Sequence, residues 1–155
     1  MRGAGETNYF TLLNNICLFH KFGLLLISAN QYSITMGKFI NLEVWNDAKN
    51  LAVSVYKTTS NSMISKDFGL CDQLRRAAVS VPSNIAEGDE SGSTKKSISY
   101  FYISKGSLAE VYTQLVIAFE VNYIDMDTLN DFTAKINSLS SKLRKLIQYR
   151  EGIIK

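Results

Sequence analysis

The chain has 155 residues, of which 46% are hydrophobic and 20% charged, with a formal net charge of +3. That length hides roughly 70% of the unfolded surface on folding, while so small a charge does not by itself announce a nucleic-acid partner. One proline and nine glycines favour long helices over a many-turned β fold.

Residues 1–35 differ from the rest. Ile16–Ala29 is an apolar run of 14, broken by His20, Lys21 and Gly23, and falls short of the ~20 apolar residues that span a membrane. As a secretion signal it is poor too, because Arg2 and Glu6 cancel and a charge interrupts the apolar stretch. The favoured reading is an extension outside the core, with Met36 as an alternative start; a signal or membrane-associated segment and an integral helix are the other readings. Residues 36–155 then form the folded domain. Cys17 and Cys71 make no C-x-x-C pair, which suits reduced thiols in the cytoplasm.

Four helices are predicted after Met36. The first, about Leu42–Thr59, carries Trp45, Ala48, Ala52, Val55 and Thr59 on one side, a stripe of helical width. Asn41 is its expected N-cap, and the polar cluster Thr58–Ser62 its expected stop. The second, Leu70–Gly88, places Leu70, Leu74, Ala77, Ala78, Val81 and Ile85 at steps of three and four, one helical face. Pro82 in its middle deletes a backbone hydrogen bond and costs roughly 3 kcal/mol or more. A kink is expected there, with Ser80, Ser83, Asn84, Glu87 or a partner helix satisfying the freed backbone groups. Gly88 is expected to end the helix in the left-handed conformation, and Asp89–Thr94 to be a loop with solvated acids.

The third helix, about Lys95–Val121, is apolar nearly all round. Ile98, Phe101, Tyr102, Leu108, Tyr112, Leu115, Val116 and Phe119 follow one track, while Tyr100, Ile103, Val111 and Ile117 spill onto another. Such width asks for a second contact surface, most simply another copy of the chain. Gly106 and Ser107 would permit a close helix crossing. The fourth helix, about Asp125–Arg150, has a narrow seam of Leu129, Phe132, Ile136, Leu139, Leu143 and Leu146. Helices joined by short loops make an all-α, antiparallel up-and-down four-helix bundle the expected fold.

No catalytic constellation is visible. The sole histidine, His20, lies in the extension, no Walker loop is present, and Glu87, Asp89 and Glu90 lack the alternating oxygen pattern of a calcium loop. No cofactor, metal or small-molecule substrate is therefore expected. The basic residues say more. Arg75 and Arg76 lie on the polar side of the second helix, Lys95 and Lys96 begin the third, and Lys142, Arg144, Lys145 and Arg150 crowd the end of the fourth. On a single chain these read as solvated, dipole-matched helix ends; repeated around a symmetric ring their fields would add. No interleaving of aromatic and basic residues of the single-strand-binding type stands out.

Four stretches carry a family resemblance: Leu42–Ala48 (LEVWNDA), Val55–Thr59 (VYKTT), Phe68–Gly88 (FGLCDQLRRAAVSVPSNIAEG) and Lys105–Leu115 (KGSLAEVYTQL). Over nearly all of Met36–Tyr149 the chain resembles the bacterial 23S rRNA intervening-sequence proteins. The resemblance implies a closed bundle with a kinked second helix, often assembled as a pentameric ring. Relatives are encoded within insertions in large-subunit rRNA genes, and for most no activity is established. A related branch, the accessory variability proteins of diversity-generating retroelements, binds a reverse transcriptase and nucleic acid through basic surfaces. Residues 1–35 have no counterpart, and relatives commonly carry Ala or an apolar residue where this chain has Ser97 and Ser104. The resulting expectation is a non-enzymatic homo-oligomer that binds RNA, or DNA, through Arg75, Arg76, Lys142, Arg144 and Lys145, with Lys95 and Lys96 as outer contributors. A protein-interaction scaffold with no direct nucleic-acid role is the alternative. Ser80, Pro82, Ser83, Asn84, Glu87 and Gly88 are expected to specify the fold.

Overall fold

A computed structural model describes residues 38–61 and 63–154; the expected extension, with its apolar run and Cys17, lies outside them. A 3-10 turn, Lys38–Asn41, leads into α1, Glu43–Asn61. The cap position is Leu42 rather than Asn41, and the Leu42 carbonyl accepts the amides of Trp45 and Asn46. Asn46 donates its side-chain amide back to the carbonyls of Ile40 at 3.0 Å and Leu42 at 3.3 Å. The entry turn is thus tied down from inside the helix. At the other end, Thr59 and Ser60 donate their hydroxyls to the carbonyls of Val55 and Tyr56 at 2.8 Å each. The polar cluster expected to stop α1 folds back onto it, and the helix runs on to Asn61.

Helix α2, Phe68–Glu90, is capped by Asp67, whose carboxylate accepts the Leu70 amide at 3.0 Å. It continues through Pro82 as one element. Gly92, at φ +65°, turns the chain into α3, Thr94–Glu120. That helix closes in a Schellman arrangement: the Tyr123 amide bonds the Ala118 carbonyl at 2.8 Å and the Asn122 amide that of Phe119 at 2.9 Å. Asn122 sits at φ 60°, the left-handed position that glycine usually fills and asparagine tolerates. Helix α4, Met126–Ile153, starts at the Asp125 cap, whose carboxylate accepts the Thr128 amide at 2.8 Å. That bond holds the Asp125 carboxyl below the usual carboxylate range.

Each helix packs on two others, α1 on α2 and α4, and α3 on α2 and α4, so the four enclose one core. They are antiparallel: Thr59 near the end of α1 meets Arg75 near the start of α2, and Glu43 at the start of α1 meets Lys142 late in α4. Phe101, Leu74, Val81, Ile85, Leu115 and Leu143 are fully buried in that core, each burial stabilising by about 1.5–3 kcal/mol. The α4 seam is buried at Phe132, Ile136, Leu139 and Leu143 and extends to Ile147, with Leu129 and Leu146 at its margins. Cys71 is a buried free thiol.

The face that α3 buries differs from the apolar track in the sequence. It is Ser97, Phe101, Ser104, Ser107, Leu108, Val111, Leu115 and Ala118, while Tyr102 and Tyr112 are exposed. Ser104 and Ser107 of α3 meet α2, Phe101 packs against it one turn earlier, and Tyr102 and Tyr112 are left outside. Gly88 belongs to this contact. It lies inside α2 and is buried rather than ending the helix, and a Cβ there would come within 2.6 Å of Phe101 Cε1. Asp89 is likewise not a solvated loop acid; it lies in α2 and accepts from Arg150 of α4 at 2.6 Å.

Candidate nucleic-acid interface

Polar side chains surround Pro82 on both helices. Ser83 donates its hydroxyl to the Val79 carbonyl at 2.9 Å, and Asn84 donates to the Ser80 carbonyl at 2.8 Å and the Ser80 hydroxyl at 2.9 Å. From α3, Ser104 donates to the Val81 carbonyl at 2.9 Å, and the hydroxyls of Ser80 and Ser107 share a bond of 2.9 Å. Three successive carbonyls beside the proline ring, 79 to 81, thereby gain a side-chain donor. The carbonyl that Pro82 deprives of its helical amide is that of Ala78, so these bonds do not satisfy the freed group as expected. Two of the donors come from within α2 and one from its neighbour. Glu87 takes no part: it is exposed, beside Glu90, Lys96 and Tyr100. The Ser97 hydroxyl is buried without a partner among the described residues, whereas that of Ser104 is fully used.

The basic residues separate into two kinds. Arg75 is engaged within the bundle, donating Nε to the buried Thr59 hydroxyl at 2.8 Å and Nη2 to Ser60 at 3.2 Å. Its guanidinium also lies 5.0 Å from the centre of the Tyr56 ring. Lys142 clamps α4 to α1, with Nζ 2.5 Å from Glu43 and 2.6 Å from Asp47. The two carboxylates, Asp47 foremost, raise its pKa above the ordinary lysine value. Arg76 pairs with Asp72 one turn earlier on the exposed side of α2, and Arg150 with Asp89.

Lys95, Lys96, Arg144 and Lys145 are exposed, and the ion pairs among the described residues do not include them. Antiparallel packing sets the start of α3 beside the last turns of α4, where the Tyr102 hydroxyl donates to Glu151 at 3.2 Å. That bond, reinforced by the carboxylate charge, raises the Tyr102 pKa. The four free bases therefore lie in the same half of the bundle. Arg75 and Arg76 lie toward the other end, because α2 rises ~22 Å between Arg75 and Glu90. The seven basic residues singled out in the sequence do not form one patch.

A basic residue missed in the sequence is Lys105. It is exposed, and it lines a groove between α3 and α4 with Tyr112, Asn137 and Ser140. Its signal was the spacing of Tyr102, Lys105, Ala109 and Tyr112 at steps of three, four and three, which sets them on one helix flank. The broad apolar pattern of α3 masked it. Among the described residues no cluster of three or more metal-ligating side chains occurs, and no helix is long and apolar enough to cross a membrane.

These features define a class: a small antiparallel four-helix bundle whose second and third helices meet through serines and glycine. Residues 40–145 match the 23S rRNA-intervening sequence protein family. The chain belongs to that family. Its fold is similar to the crystal structure of a protein with unknown function from the S23 ribosomal protein family of Bacteroides thetaiotaomicron VPI-5482. The two share a TM-score of 0.62 and 21% sequence identity over 67% of this chain and 97% of the other, a likeness of fold. No curated protein matches the chain.

Proposed function

We propose that the protein is a non-enzymatic, self-associating bundle of the cytoplasm that binds nucleic acid, RNA in preference to DNA, through basic side chains in one half of the molecule. The observation that carries this reading is that Lys95, Lys96, Arg144 and Lys145 are exposed, outside the ion pairs of the described residues and in the same half of the bundle. Arg75 and Lys142 contribute to stability in this reading, and Arg76 is an outlying contact. Self-association is supported by α3 and its C-cap, where Ile103, Ile117 and Val121 are 46–51% exposed; a ring of copies, five by family resemblance, would multiply the basic side chains. In the same reading the Ser80–Gly88 motif is structural, holding α2 against α3 around Pro82.

Retention of labelled RNA on a filter tests the binding. It should fall steeply as salt rises, because phosphate contacts release counterions, and replacing the four bases with Gln should abolish it. Retention that ignores both salt and these substitutions would refute the proposal. Light scattering on residues 36–155 tests self-association, which a monomeric mass would exclude. A protein-interaction scaffold is the second reading, favoured by the 82% exposure of Phe68 at the start of α2. Capture of a partner that survives nuclease treatment and is lost with Phe68→Ser would support it.

A further inference from the structure

We infer that the groove between α3 and α4 is a stacking surface for single-stranded RNA, a proposal that rests on the nucleic-acid reading above. Lys105, Ala109 and Tyr112 of α3 face Thr133, Asn137 and Ser140 of α4 across a cavity of about 330 Å³. One turn before Lys105 comes Tyr102, whose hydroxyl reaches across to Glu151. One turn after Ser140 comes Arg144, so the groove continues toward the basic half. The rings of Tyr102 and Tyr112 are 51% and 41% exposed, and Lys105 and Arg144 are free of the ion pairs formed among the described residues.

Exposed aromatic rings beside unpaired bases are what a single strand recognises. Bases stack on the rings, and phosphates follow the positive charges. Tyr102 and Tyr112 are ten residues apart, ~15 Å along the axis, with Lys105 between them to meet the connecting backbone. The amide of Asn137 and the hydroxyls of Thr133 and Ser140 offer neutral hydrogen bonds to base edges. Glu151 sits at the groove's end, where it accepts the Tyr102 hydroxyl. A duplex keeps its bases stacked on one another and offers no free face to these rings.

Fluorescence anisotropy with an unpaired oligouridylate and an RNA hairpin, each of about 12 nucleotides at about 50 mM salt, tests the idea. The wild-type protein should bind the strand about tenfold more tightly than the hairpin. Tyr112→Ala and Lys105→Gln should each weaken the strand complex by about tenfold, with Tyr112→Phe retaining it and melting curves unchanged. Equal affinity for strand and hairpin, or variants that leave strand binding intact, overturns the groove and leaves the wider nucleic-acid reading standing. Absence of binding to both RNAs overturns that reading and the groove with it.

Discussion

Replacing Gly88 with Ala should destabilise the bundle, although alanine is the better helix former. The added Cβ would lie 2.6 Å from Phe101 Cε1, 2.9 Å from Phe101 Cδ1 and 3.1 Å from the Ser97 carbonyl oxygen. Carbon atoms pack at about 3.5–4.0 Å, so the closest approach is short by about 1 Å. The ring is fully buried and the oxygen is backbone, so neither retreats unless α2 and α3 part at that end. Overpacking of this kind costs about 1–3 kcal/mol, against about 1 kcal/mol gained in helix propensity. The net loss should be about 1 kcal/mol and at most about 2 kcal/mol, a melting temperature lower by about 4 °C. Gly106→Ala is the control: Gly106 is exposed in α3 with nothing within 4 Å of its added Cβ, and it should gain about 1 kcal/mol. Thermal and urea unfolding of both variants provide the assay. Pairing Gly88→Ala with Phe101→Leu should recover part of the loss in a double-mutant cycle. If Gly88→Ala proves as stable as the parent, the close-approach argument is wrong.

Three further outcomes follow from the polar contacts. Arg75→Ala should lower stability by about 1–2 kcal/mol, since it strips a hydrogen bond from the buried Thr59 hydroxyl, and it should leave RNA retention unchanged; loss of retention at full stability would return Arg75 to the binding surface. Lys142→Met should lower the urea midpoint at neutral pH. Because the folded-state pKa of Lys142 is raised above 10.5, its contribution is complete below that pH and is lost as pH rises through the folded value; the gap between variant and parent should therefore shrink only in alkali, and a gap that persists unchanged there would contradict the clamp. Asn84→Leu removes the donor to the Ser80 carbonyl and hydroxyl, and should cost about 1–2 kcal/mol in urea unfolding; intact stability with RNA binding alone abolished would show that the motif is a binding site.

The helices and their order were legible because each core face repeats at helical spacing, most cleanly in α4, where Phe132, Ile136, Leu139 and Leu143 all point inward. Misreadings arose where tertiary packing overrides a local rule. Gly88 resembles a helix terminator by type, yet its lack of a side chain serves a neighbouring ring. Asp89 resembles a loop acid until Arg150, 61 residues away, is brought to it. In α3 hydrophobicity misled, because Ser104 and Ser107 join Phe101 in the contact with α2 while the tyrosines are left outside. The basic residues were visible from composition alone. Which of them were already engaged was not, since the partners of Lys142 lie 95 and 99 residues distant.

The serine bonds between α2 and α3 bear on the order in which the molecule assembles. Ser104 reaches Val81 across 23 residues and Ser80 reaches Ser107 across 27, so this hairpin closes a short loop, whereas the clamp from Lys142 to α1 closes nearly the whole domain. Short closures form faster than long ones. Contacts between helices adjacent in the chain should therefore be structured in the folding transition state before α1 meets α4, with φ-values at Ser104 and Val81 above those at Asp47 and Lys142. Uniform φ-values would argue against this order. On this view the closing of α4 onto α1 comes last, around a pair of inner helices whose register the hydroxyls have already set.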